Sequence, residues 1–286
     1  MSYAATTVVT NTITTNAQFR TWGLIYAAKF ASMGWVQSAE AGQIDWAAVA
    51  TPGVINTVAG YEIWHFNDAL QATVPIFLKI EYGAGAAVAN GSLWITVGTG
   101  STGIGGLTGI VSTRQQVQCT ATAGAISHYW SGDTNRGTIA VVGAAAATSM
   151  HLGIERTVDN VGALTGEGIL LVYRGTSAWG QQAWNYATGP YTATWELSLG
   201  CMGAAVAPFG VTGLQVAVYP VYHNKGVFCN PGYNCMMYEN AVVGALATIS
   251  FNVYGAAHTY VTLGSTCFGS GGRGGFTTAA LMMRYE

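Results

Sequence analysis

Gly60–Gly85 reads GYEIWHFNDALQATVPIFLKIEYGAG, and its alternation decides the fold class. Glu62, Trp64 and Phe66 alternate with Tyr61, Ile63 and His65, the period of two expected of an extended strand. Asn67 and Asp68 then break the run, because their side chains bond nearby backbone amides and favour a turn. Pro75 opens a second extended segment, Ile76–Tyr82. The stretch predicts two strands around a bend, with Tyr61, Trp64, Phe66, Asn67 and Asp68 fixing the hairpin.

On its N-terminal side, Phe19, Trp22, Tyr26, Phe30 and Met33 recur at spacings of three and four, which predicts a helix over Thr14–Met33. Thr15 with Gln18 forms a capping box, and Gly34 sits just past the end. Such a helix either lies on a sheet or offers its aromatic stripe to a partner subunit. Short strands are expected at Gly34–Gln37 and Ala41–Trp46. On the C-terminal side, Ser92–Val97 alternates and runs into GTGSTG, Gly98–Gly103. A dinucleotide site would need a helix to start there, and Ile104–Gly109, rich in Gly and Thr, is a poor helix former. A β-loop is the reading.

From Val111 onward short strands follow one another: Val111–Thr122, Ala125–Trp130, Gly137–Val142, Ser149–Glu155, Gly168–Arg174, Thr192–Leu199, Leu214–Val221, Val242–Val253, His258–Leu263 and Thr277–Tyr285. Turn clusters separate them and no βα alternation appears. The expected class is mainly β, antiparallel and sandwich-like, with one N-terminal α-helix. A composition shift divides the chain into a lobe over 1–112, with helix and central hairpin, and an antiparallel β lobe over 113–286.

Composition narrows the function. Of 286 residues, half are hydrophobic, 12% are aromatic and only 8% are charged, against about 25% in an ordinary soluble domain. A surface this poor in charge suits burial against other subunits. A net charge of −2 from scattered single charges offers no basic stripe for nucleic acid. No positively charged leader precedes an apolar run, so no secretory signal is expected. The most apolar windows are broken by Thr, Ser, Asn and Gly, so no membrane span is expected.

Catalytic patterns are sparse. The four Asp and eight Glu lie mostly beside turns or at strand ends. Asp133 with Glu155 is a carboxylate pair that glycoside hydrolysis would require to face across a cleft. The five His, at 65, 128, 151, 223 and 258, share no metal-ligand spacing, and no nucleophile elbow is present. No cofactor or metal is expected. The five Cys include Cys229 and Cys235, which bracket an NPGYN segment read as a Pro-Gly turn. A disulfide, two free thiols and a metal site all remain open there. Cys119, Cys201 and Cys267 read as small buried hydrophobes.

RGTSAWGQQAWNYATGPYTATW, residues 174–195, is dense in aromatics. Trp179, Trp184, Tyr186, Tyr191 and Trp195 form a candidate contact surface, which serves packing, subunit assembly or stacking on sugar rings.

FRTWG, GQIDWAAV, AGYEIWHFNDALQATVPIFLKIEYG, LWITVGTG, SGDTNR, IERTVDNVGALTGEGILLV and a terminal MMRYE together resemble a family of tailed-bacteriophage and prophage virion structural proteins. The resemblance covers most of residues 16–175 and the last few positions. It implies a non-enzymatic subunit on the tail, baseplate or fibre, or a head-surface decoration protein. Other copies of the chain, for which a trimer is expected, and other virion proteins are the partners expected of such a subunit. A receptor- or glycan-binding module of the tail tip, acting on host surface glycan, and a polysaccharide-cleaving enzyme are the other classes kept in view.

Overall fold

The computed structural model describes residues 3–118, 125–141, 150–159, 163–174, 178–186, 189–190, 209–211, 214–216, 218–224, 229–239, 248–253, 256–262 and 279–284. Those residues form a mainly β, antiparallel, sandwich-like structure around one helix.

The central hairpin builds the first sheet. Strands β2 (Val36–Gln37), β3 (Val58–His65), β4 (Phe77–Ala84), β5 (Gly91–Ser101) and β6 (Leu107–Ile110) lie in that order, and β7 (Gln115–Gln118) also pairs with β5. In β3 and β4 Trp64 faces Leu78 and Glu62 faces Ile80, while Ile80 meets Ile95 of β5. That register puts Glu62, Trp64, Leu78, Ile80, Tyr82, Leu93, Ile95 and Val97 on one buried face.

The second sheet has seven strands and begins with an element that sequence reading missed. β1 (Tyr3–Val9) pairs with β8 (Ile126–Asp133), followed by β9 (Arg136–Val141), β10 (Met150–Val158), β11 (Leu164–Arg174), β12 (Ala178–Asn185) and β13 (Gly189–Pro190). So the chain's first strand lies in the sheet built by residues beyond 125, and β7 lies in the sheet of the hairpin. A third sheet orders β16 (Val218–Asn224), β17 (Cys229–Glu239), β20 (Ala279–Arg284), β19 (Ala256–Thr262) and β18 (Thr248–Val253), with β14 (Phe209–Val211) and β15 (Leu214–Val216) as a separate ribbon. β17 and β20 lie against β9 and β10.

Helix α1 (Asn16–Ser32) is wedged between the first two sheets. Its start is the predicted capping box: Thr15 Oγ1 accepts from Gln18 N–H at 3.2 Å, and Thr15 N–H donates to Gln18 Oε1 at 3.1 Å. Gly34, at φ +92°, takes the left-handed position past its end. The aromatic stripe is buried between the sheets. Trp22 meets Tyr82 edge-on at 6.1 Å on one side, and Tyr26 meets Trp130 at 5.0 Å on the other. Phe30 stacks flat on Trp35 at 5.2 Å. Rings so arranged add to the area they bury.

Gly23 faces the same seam, and a Cβ there would fall inside the Trp46 ring. In a free helix Gly→Ala gains about 1 kcal/mol. Trp46 is pinned through its indole N–H to Glu62 at 2.9 Å, so overpacking at about 1–3 kcal/mol exceeds that gain. Gly23→Ala is expected to lower the urea midpoint rather than raise it.

Two expected local structures are corrected. Ala41–Trp46 is not a strand. Gly42 turns left-handed at φ +77°, and the Gln43 side chain, not its backbone, accepts Ile63 N–H at 2.8 Å along the edge of β3. Cys229–Cys235 is not a Pro-Gly turn but lies within β17. Pro231 fits because the ladder is irregular there, with Val221 opposite Gly232 and Pro220 opposite Met236. The residues Cys119, Cys201 and Cys267, and the expected strand Thr192–Leu199, lie outside the described residues.

Candidate functional site

The inward face of the hairpin holds a buried carboxylate among aromatic donors. Glu62, 2% exposed, accepts from Trp46 Nε1 at 2.9 Å, Trp64 Nε1 at 3.0 Å and Tyr82 Oη at 2.5 Å. Burial, reinforced by the Glu62 charge, pushes the Tyr82 phenol well above its ordinary value, so it remains a donor. The cage ties β3, β4 and the loop carrying Trp46 into one unit. Glu62→Gln keeps the volume but loses charge-assisted bonding and places an amide donor against donors. About 1.5–3 kcal/mol of stability should be lost in thermal or urea unfolding.

The bend does a second job. Asp68 Oδ1 accepts Leu70 N–H at 2.9 Å, the local turn predicted for it. Its other oxygen, Oδ2, pairs with Arg156 Nε of β10 at 2.8 Å, with both side chains buried. Asn67 N–H donates to Thr134 O at 2.8 Å in the β8–β9 turn. The Arg156 guanidinium lies 5.8 Å from the centre of the Phe66 ring. Thus the bend of one sheet is bolted to three strands of the other.

Tyr61 is on the outward side of β3. Its hydroxyl donates to Ala41 O at 2.7 Å, and Lys79 Nζ lies over its ring at 4.8 Å. The Gly-rich stretch that follows β5 closes as a β5–β6 connection, with Gly103 and Gly105 at positive φ. Glu40 holds it: Ser101 Oγ and Gly105 N–H both donate to its carboxylate, the latter at 3.0 Å. No helix begins there, so the pyrophosphate geometry of a dinucleotide site is missing from this loop.

Asp133 and Glu155 are near each other, but with a cation between them. Arg136 pairs with Asp133 at 2.6 Å and stands directly across from Glu155 in the β9–β10 register. Burial, followed by the charge of Arg136, lowers the Arg284 guanidinium of β20. Burial, then Arg284 and Arg136, brings His258 down to about 4. This is a mixed-charge joint between the second and third sheets rather than two carboxylates facing a gap.

The histidines divide by burial. His128 and His151 are buried, and desolvation brings each down to about 3. His65 Nδ1 lies 2.6 Å from Phe66 O, and its ring packs on Phe77 at 5.4 Å. Among the described residues no group of three or more His, Cys, Asp or Glu is placed to hold a metal ion. No helix among them is long and apolar enough to cross a membrane.

The aromatic segment is only partly in view. Trp179 and Trp184 belong to β12, opposite Tyr173 and Gly168 of β11. Tyr186 follows, with its N–H donating to Gly166 O at 2.9 Å. Tyr191 and Trp195 lie outside the described residues. The part that is described is a strand paired with β11.

Sequence reading missed Glu62, Trp46, Glu40 and Arg156 as organisers. Glu62 carried a signal: an acid in phase with Trp64 and Phe66 on an inward face must find donors. Arg156 in the apolar run of β10 carried a similar one. No protein-family model matches this chain, and no curated protein matches it.

Proposed function

We propose that the chain is a non-enzymatic structural subunit of a bacteriophage virion, associated with tail, baseplate or fibre, that assembles through uncharged surface. Its partners on this reading are other copies of itself and other virion proteins. The observation that supports it is where apolar and ionic groups lie. Asp68, Arg156 and Glu62 are spent inside, holding sheets together. Val8, Val54, Ile55 and Ile104 meanwhile stand 51–76% exposed on a chain with few charges. Singly exposed apolar side chains are ordinary in themselves, but on a surface this poor in charge they suit burial against other subunits. The sequence resemblance points the same way.

The test is the mass of the purified protein by light scattering over a concentration series. Association with copies of itself supports the reading. A monomer at every concentration, together with turnover of a polysaccharide that is lost on replacing one carboxylate, would overturn it.

A further inference from the structure

Resting on that reading, we infer that β1 is a self-pairing edge, through which two copies of the chain join antiparallel about a two-fold axis. β1 is the first strand of the seven-stranded sheet, and its seven residues pair with β8 without a break in register. Among the described residues, no backbone hydrogen bond reaches its other edge. Among the described residues, that edge therefore presents a row of unmet N–H and C=O groups, a template for another strand.

Edge strands that must stay single carry charge, proline or a bulge. Tyr3–Val9, YAATTVV, has none of these. Thr6 and Val8 are exposed, Val8 at 65%. Lys29 is drawn onto Tyr3, donating to its hydroxyl at 2.9 Å. Other edges are poorer templates. β2 and β13 have two residues each, and β16 carries Pro220 at a register shift. β6 contains Gly109 at φ +54°, and β18 exposes Thr248, Ser250 and Asn252.

A second β1 is the partner this edge fits. Antiparallel self-pairing is isologous, the commonest symmetry of oligomers. It sets Ala, Thr and Val against Ala, Thr and Val with no charge on either side, so neither copy desolvates or opposes an ion. Seven strands from each copy would then run as one sheet. Two short strands bury less than the roughly 1,200 Å² of a standard stable interface. The pairing is accordingly weak and concentration-dependent, and is strengthened when other contacts hold the copies together.

Sedimentation equilibrium on the full chain, with amide hydrogen exchange at low and high protein concentration, tests this. The wild type should pass from monomer to dimer, and the β1 amides should become protected as it does. Thr6→Lys and Val8→Lys, both at exposed positions, should raise the dimer dissociation constant about 10-fold or more while leaving the thermal unfolding of the monomer unchanged. Association that persists in both variants, with β1 amides exchanging freely, would overturn the pairing and leave assembly itself standing. A fixed trimer would do the same. A wild type that never associates would overturn the pairing and remove self-association from the proposed function.

Discussion

Asp68→Ala is expected to cost about 3–5 kcal/mol, the loss that follows when one member of a buried ion pair is removed. Asp68 and Arg156 are 2% and 0% exposed in their side chains, and the pair spans two sheets. Among the described residues both terminal nitrogens of Arg156 lack a hydrogen-bond partner, and the charge paired with the guanidinium is the Asp68 carboxylate, through Nε. Alanine would leave a guanidinium buried among apolar groups beside Phe66, and would also strip the turn of its bond from Leu70 N–H. Urea unfolding should show a lower midpoint with an unchanged slope. Adding Arg156→Met to Asp68→Ala should recover much of the loss, because an apolar replacement for a buried pair is often neutral. A loss under about 1 kcal/mol for the single variant would mean that Arg156 reaches water and the bolt is ornamental.

The second large effect is expected in acid. His128 and His151 both fall from 6.5 to about 3 in the folded protein because burial disfavours the imidazolium. In the unfolded chain they take up protons near 6.5. The stability due to their neutral forms is therefore complete above pH 6.5 and drains away as pH falls from there towards 3. At about 1.4 kcal/mol per pH unit, proton uptake by each in the unfolded chain weakens the fold by several kcal/mol across that range. Two such terms rival the total stability of a typical domain, about 5–15 kcal/mol. Near-UV circular dichroism should record cooperative loss of tertiary structure between pH 6.5 and 3, and His128→Phe should move the midpoint downward. Signals that hold flat to pH 3 would contradict the burial of both rings.

Much of the fold was readable because local rules agreed with one another. The Thr15–Gln18 box, the helical spacing of Phe19 to Phe30, Gly34 past the end and the Asn67–Asp68 break each have a mechanism within a few residues, and each is found in place. What escaped depends on distant partners. β1 is a strand because β8 is there to pair with it, and its Thr-rich sequence carries only a weak alternation. Gly42 and the Gln43 amide defeat the strand expected at Ala41–Trp46, a competition between side chain and backbone that propensity does not register. The hairpin residues were visible from their alternation. That Asp68 reaches a residue 88 positions away was not.

The most direct test of the structural-subunit account is to ask whether the protein is part of a particle. Phage particles are purified by density gradient from lysed cells that carry this sequence and analysed by quantitative mass spectrometry. The account predicts peptides of this chain in the particle band at a fixed number of copies per virion, retained through a high-salt wash. Peptides confined to the soluble fraction, with particles that form and infect equally well when the sequence is deleted, would contradict it.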